Sequence, residues 1–241
     1  MFIQQFLSRL ALVLSSVFLL SSCTGIAPRG GGDILVIGDS VMAWNRTSNQ
    51  AISDVIGSKL SRDVVARAVP GAQFDNNSAI ASAVGFDIQS QYPEGRWNWV
   101  VLNGGANDMG FGDCGCGDCS ALVTKLISED GQSGLIPTFL DGVQRDGAKV
   151  LWMGYYNSPG KSFTGCADDL AALEARIKRN LANRRNGYFL EGEDFVLKSS
   201  PSHFAKDDTH PSPVGSAILG TALADIISKA DGRSQGRSPQ L

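Results

Sequence analysis

Residues 33–40 read Asp33-Ile34-Leu35-Val36-Ile37-Gly38-Asp39-Ser40. An unbroken aliphatic run closed by glycine is the pattern of a short strand covered on both faces, as in the interior of a parallel sheet. The same texture returns at 63–69 (DVVARAV), 97–103 (WNWVVLN), 149–154 (KVLWMG) and 187–190 (GYFL), so five strands are expected. Elsewhere the apolar spacing turns helical. The first helix is expected over 47–60, opened by Thr47-Ser48-Asn49-Gln50 as a capping box, with Ala51, Val55, Ile56 and Leu60 at helical spacing. Others are expected over 120–129, 135–145, 167–185 and 213–230. Strands alternating with helices predict an α/β fold, a three-layer α/β/α sandwich around a central parallel sheet. No repeat or linker divides residues 33–230, which are expected to form one domain. In such sheets chemistry gathers in the loops that leave the carboxyl ends of the strands.

The 241 residues are 43% hydrophobic and 19% charged, enough apolar material for one sizeable core. With 28 Gly and 9 Pro the chain is loop-rich without being collagen-like or of low complexity. Its 21 basic and 24 acidic residues leave a formal net charge of -3, so no basic field exists to hold a nucleic acid, and no such partner is expected. His203 and His210 are the only histidines, too few for a histidine-rich metal centre. No metal or cofactor is expected.

Residues 1–22 read as a signal peptide. The apolar run over 10–20 is too short to span a bilayer and sits behind a single positive charge, Arg9. It ends in Leu20-Ser21-Ser22-Cys23, which resembles the bacterial lipobox and implies cleavage before Cys23 and lipidation of that residue. An ordinary secretory signal cut near the same place is the alternative; either way the chain is exported. Thr24, rather than an aspartate, follows Cys23, which in lipoproteins of Gram-negative cells favours the outer membrane. The expected location is therefore the cell envelope, lipid-anchored and facing the periplasm or exterior. Residues 23–32 then form a flexible tether (TGIAPRGGG after Cys23), and the polar, Gly/Ser-rich stretch 231–241 a disordered tail.

Four loops carry chemistry-bearing residues. Gly38-Asp39-Ser40-Val41 places a hydroxyl just past the first strand, and Pro70-Gly71-Ala72 offers an open backbone N–H after the second. Gly104-Gly105-Ala106-Asn107-Asp108 follows the third, where Asn107 can offer an amide N–H and Asp108 can brace the loop. Asp207-Asp208-Thr209-His210-Pro211 precedes the last helix, with a carboxylate three residues before an imidazole. Each alone is ordinary turn chemistry. In this order they resemble the SGNH, or GDSL-type, hydrolase superfamily, over roughly residues 34–218. The Gly71 block is the loosest match, because it lacks the polar flank often seen there.

That resemblance implies a flavodoxin-like SGNH fold and a serine esterase or acylhydrolase. Ser40 is the implied nucleophile, His210 its base, and Asp207 the carboxylate on Nδ1, with the N–H groups of Ser40 and Gly71 and the Asn107 amide as oxyanion hole. Asp208 and His203 are the rival carboxylate and imidazole, while Asp39 and Asp108 are expected to brace loops. Gly131-Gln132-Ser133-Gly134 lacks nucleophile-elbow spacing and reads as a loop opening a helix. A catalytically silent envelope-binding lipoprotein on the same fold is the alternative function. Trp44, Phe74, Phe111, Tyr155 and Tyr156 are candidates to line a pocket for a small-molecule, lipid or glycan ester. The cysteines besides Cys23 are Cys114, Cys116, Cys119 and Cys166, which in an exported protein suggest two disulfides, one tying the 111–119 loop to Cys166. The alternatives are a redox pair at Cys116-Gly117-Asp118-Cys119 and a four-thiolate metal site.

Overall fold

A computed structural model describes residues 30–235. The expected signal peptide, Cys23 and most of the tether lie outside the described residues. Five strands, β1 (Gly30–Ile37), β2 (Val64–Ala66), β3 (Gly95–Leu102), β4 (Lys149–Met153) and β5 (Gly187–Leu190), form one sheet in the order β2-β1-β3-β4-β5. Every pairing is parallel. The helices are α1 (Ser40–Ala43), α2 (Ile52–Leu60), α3 (Ala79–Val84), α4 (Ala106–Phe111), α5 (Ser120–Leu126), α6 (Leu135–Arg145), α7 (Ala167–Ala182) and α8 (Pro213–Gln235).

The alternation of side chains along the strands divides the core in two. Leu35, Ile37, Val100, Leu102, Val150 and Trp152 face one way and are buried under α5, α6 and α7 through Val123, Leu140 and Ile177. Ile34, Val36, Trp99, Val101, Leu151 and Met153 face the other way, under Ile56 of α2 and Leu219, Leu223 and Ile227 of α8. This is the expected three-layer sandwich, and it explains why β1 from Ile34 and β3 from Trp99 are apolar through to their carboxyl ends.

Three boundaries differ from expectation. Residues 30–32, expected as tether, begin β1 and pair with 95–97; a Cβ at Gly32 would lie 2.8 Å from the Trp97 ring, so the glycine there serves packing. The first long helix starts at Ile52 rather than Thr47, because Asn45 (φ 63°) and Asn49 (φ 56°) turn left-handed on either side of a separate 3₁₀ turn at Arg46–Ser48. Its entry is half a capping box, with the Ala51 N–H donating to the Asp54 carboxylate at 2.9 Å.

The third is the tail, where α8 continues to Gln235 instead of fraying from 231. Asp231 accepts from Lys149 Nζ (2.5 Å), Arg62 Nη1 (2.6 Å) and Trp99 Nε1 (3.2 Å), and Arg62 also pairs with Asp33. One carboxylate thus ties the end of α8 to the amino edge of the sheet. Replacing Asp231 with Ala should lower unfolding free energy by about 1.5–3 kcal/mol, the range for hydrogen bonds to a charged group. Urea denaturation measures this, and an unchanged midpoint would show the cluster to be idle.

Candidate active site

The chain leaves β1 at Gly38, in a conformation (φ 131°) and a space that exclude a side chain, since a Cβ there would lie 2.0 Å from Asn103 Oδ1. Gln91 holds this turn from both sides: its Oε1 accepts the Gly38 N–H at 2.7 Å and its Nε2 donates to the Gly38 carbonyl at 2.9 Å. Asp39 caps α1 by accepting the Val41 N–H at 2.9 Å. Its buried carboxylate also accepts Asn103 Nδ2 at 2.8 Å and the Tyr155 hydroxyl, while the Asp39 N–H donates to Asn103 Oδ1 at 3.1 Å. Burial pushes the Asp39 pKa up, against the opposing pull of these donors. The expected bracing role of Asp39 is thereby visible in full. Ser40 opens the helix that Asp39 caps.

Opposite Ser40, the 204–212 segment folds back on itself, with a bridge between Phe204 and Pro211 and the Ala205 N–H donating to the His210 carbonyl at 2.8 Å. Asp207 organises the turn. One oxygen accepts the N–H groups of Thr209 (3.1 Å) and His210 (3.0 Å), and the other lies 2.6 Å from His210 Nδ1. Burial works against the charged carboxylate, but the His210 ring and these N–H groups outweigh it and hold its pKa below the usual range. His210 Nε2 lies 2.8 Å from Ser40 Oγ, across 170 residues of sequence. The rivals go elsewhere: Asp208 takes a left-handed turn (φ 56°), and His203 Nδ1 accepts the Leu197 N–H at 3.2 Å.

Asn107 sits in the first turn of α4, after the left-handed glycines Gly104 and Gly105. Its Nδ2 donates to the Ala72 carbonyl at 3.0 Å, its backbone carbonyl accepts Gln73 Nε2 at 2.8 Å, and Asp108 accepts the N–H groups of Phe74 (3.0 Å) and Asp75 (2.7 Å). The Gly71 loop is laced to the Asn107 loop by these bonds. A cavity of about 320 Å³ is lined by Ser40, Asn107 and His210, together with Tyr155, Tyr156, Phe163 and Leu170. Gly71 (φ 82°) lies outside that lining, although its N–H has no partner among the described residues.

The aromatic candidates separate. Tyr155 and Tyr156 line the cavity as expected, whereas Phe74 is fully buried in the core and Phe111 is largely exposed, edge-on to Phe163. Trp44 does not line the cavity either; it stacks on the His210 ring. Sequence reasoning missed Gln91, Asn103, Phe163 and Leu170. Only Asn103 carried a signal, as a polar residue ending an apolar strand.

All four cysteines considered above form disulfides, Cys114–Cys119 and Cys116–Cys166. The loop is tied to Cys166 as expected, but the Cys116/Cys119 pair reading fails. Left-handed turns at Gly115 (φ 52°) and Cys116 (φ 58°) send Cys116 to Cys166 and leave Cys119 to Cys114. Cys166 itself lines the cavity, so the second bridge fixes part of its wall.

A parallel sheet with a serine after its first strand and an Asp-x-x-His segment before its last helix has the layout of an SGNH-type hydrolase. The chain belongs to the GDSL-like lipase/acylhydrolase family, whose model matches residues 36–218, and is a hydrolase acting on ester bonds. It is similar in structure to a GDSL-like lipase from Bacteroides thetaiotaomicron (17% identity, 83% of this chain and 89% of that one, TM-score 0.56). A family two carbohydrate esterase from Clostridium thermocellum, solved with cellohexaose, is comparable (17% identity, 83% of this chain and 65% of that one, TM-score 0.55). So is TesA (18% identity, 81% and 97%, TM-score 0.54). At these identities the likeness carries the fold. No curated protein matches the sequence.

Two carboxyls make stability depend on pH. Burial raises the Asp108 pKa to about 7 against the pull of the Asp75 and Phe74 N–H groups. Burial likewise raises Glu174, which accepts the Tyr155 N–H at 2.6 Å, to about 7, with Glu191 and Glu193 adding to the rise. Folded, each keeps a proton that the unfolded chain releases from about pH 4, so this contribution favours the fold at low pH and is lost as pH rises through about 7. Asp108→Asn, neutral throughout, should flatten the fall in urea midpoint between about pH 5 and about pH 7.5; an unchanged slope would contradict the assignment. Removing the Cys116–Cys166 bridge by paired serines should cost about 2–4 kcal/mol, since it closes a 50-residue separation. A thermal unfolding curve matching the parent's would refute that.

Proposed function

We propose that the protein is a serine esterase working through Ser40, His210 and Asp207, with an acyl-enzyme intermediate. The observation that carries the reading is the paired contact of the His210 ring, Nε2 to Ser40 Oγ at 2.8 Å and Nδ1 to Asp207 at 2.6 Å. Ser40 is a weak nucleophile until a base removes its proton. His210 takes that proton as Oγ attacks the carbonyl carbon, then returns it to the departing oxygen. Asp207, held ionised, keeps the proton on Nδ1 and stabilises the imidazolium. Water then repeats the sequence on the acyl-enzyme and releases the acid.

The carbonyl oxygen becomes negative in the first step, and donors already in place stabilise it most. The Ser40 N–H, which has no partner among the described residues, and the second Asn107 Nδ2 hydrogen are the best-placed donors. The Gly71 N–H, without a partner among the described residues but outside the cavity lining, is the third donor of this proposal. The mixed cavity, apolar at Phe163 and Leu170 and polar at Asn157 and Thr209, suits a small-molecule or glycan ester. Two disulfides fit an oxidising compartment, which supports export. Lipidation at Cys23, and with it a cell-envelope location through a membrane anchor, is part of this proposal.

A fluorophosphonate probe should label Ser40, and Ser40→Ala should abolish both labelling and ester hydrolysis. Asn107→Ala should reduce kcat by about 10²–10³-fold. Ser40 and His210 losses should not add, because the two act as a unit. Hydrolysis undiminished in Ser40→Ala would end the reading. A panel of chain-length esters and acetylated polysaccharides then ranks the substrates.

A further inference from the structure

We propose that Trp44 is a positioning residue for the histidine, holding the His210 ring flat and favouring its protonated form during the reaction. This inference rests on the serine-esterase reading above. The Trp44 and His210 rings are stacked, with centroids 3.7 Å apart and planes within 6°. His210 lines the cavity and Trp44 does not, so the indole backs the imidazole from outside that lining.

The contact comes from one short piece of chain. Ser40 opens α1 and Trp44 closes it, with the Trp44 N–H donating to the Ser40 carbonyl at 2.8 Å. The next residue, Asn45, donates from Nδ2 to the Pro211 carbonyl (3.0 Å) and to Ser216 Oγ (2.9 Å). Residues 40–45 therefore reach the histidine segment at three points: the ring nitrogen by Ser40, the ring face by Trp44, and the following backbone by Asn45. Asp207 fixes one edge of the imidazole, and Trp44 removes the remaining freedom to tilt.

The stack also discriminates between the two charge states. When His210 takes the Ser40 proton it becomes an imidazolium, and a cation over an indole face is attracted by the ring's negative quadrupole. The neutral ring gains less, so the interaction strengthens on the way to the tetrahedral intermediate. An interaction of that kind raises kcat and leaves KM alone.

The test compares Trp44→Leu with Trp44→Phe, both apolar fillers, of which only the second keeps an aromatic face. Trp44→Leu should lower kcat for p-nitrophenyl acetate about 5–30-fold with KM within about twofold, and Trp44→Phe should stay within about threefold of the parent. Circular dichroism establishes that each variant is folded. Equal kcat in the two variants, or a loss confined to KM, would overturn the proposal. If Ser40→Ala is dead while Trp44→Leu matches the parent, this inference alone fails. If Ser40→Ala retains activity, the underlying reading fails and takes this inference with it.

Discussion

A buried carboxylate needs donors on nearly every lone pair, and Asp39 obtains them from three strand ends. Its own helix supplies the Val41 N–H, the end of β3 supplies Asn103, and the end of β4 supplies Tyr155. Meeting this one demand draws the carboxyl ends of β1, β3 and β4 together, and it aims the first turn of α1. Gln91 does the same for the backbone one residue earlier. Ser40 is placed by its neighbours' hydrogen bonds, so its Oγ meets His210 Nε2 while its own N–H has no partner among the described residues.

The second half of the site obeys the same logic. Asp207 spends one oxygen on two backbone N–H groups and the other on the imidazole, so the turn that presents His210 is built by the residue that orients it. The Asn107 loop is tied to the Gly71 loop by four bonds that pass through Ala72, Gln73, Phe74 and Asp75. Rigidity here comes from short polar links between loops, while the sheet beneath supplies the fixed frame.

The five strands were legible because a parallel sheet leaves unmistakable apolar runs, and Ser40, Asn107, Asp207 and His210 were legible because their chemistry and order are unusual together. Gln91 and Asn103 were not. They act across 53 and 64 residues, and a long-range hydrogen bond leaves no local pattern. The errors at the ends have the same origin. Asp231 looked like the start of a polar tail, yet its partners Arg62, Lys149 and Trp99 are distant in sequence. The glycines at 30–32 looked like linker, yet Gly32 is required by the Trp97 ring. Composition describes a segment in isolation, whereas these roles belong to pairs.

The early start of β1 has a geometric corollary. The chain enters the sheet at Gly30 and needs eight residues, roughly 25 Å of extended backbone, to arrive beside Ser40. An anchor at Cys23, as proposed above, would therefore join the domain from the end of the sheet opposite the Ser40–His210 pair.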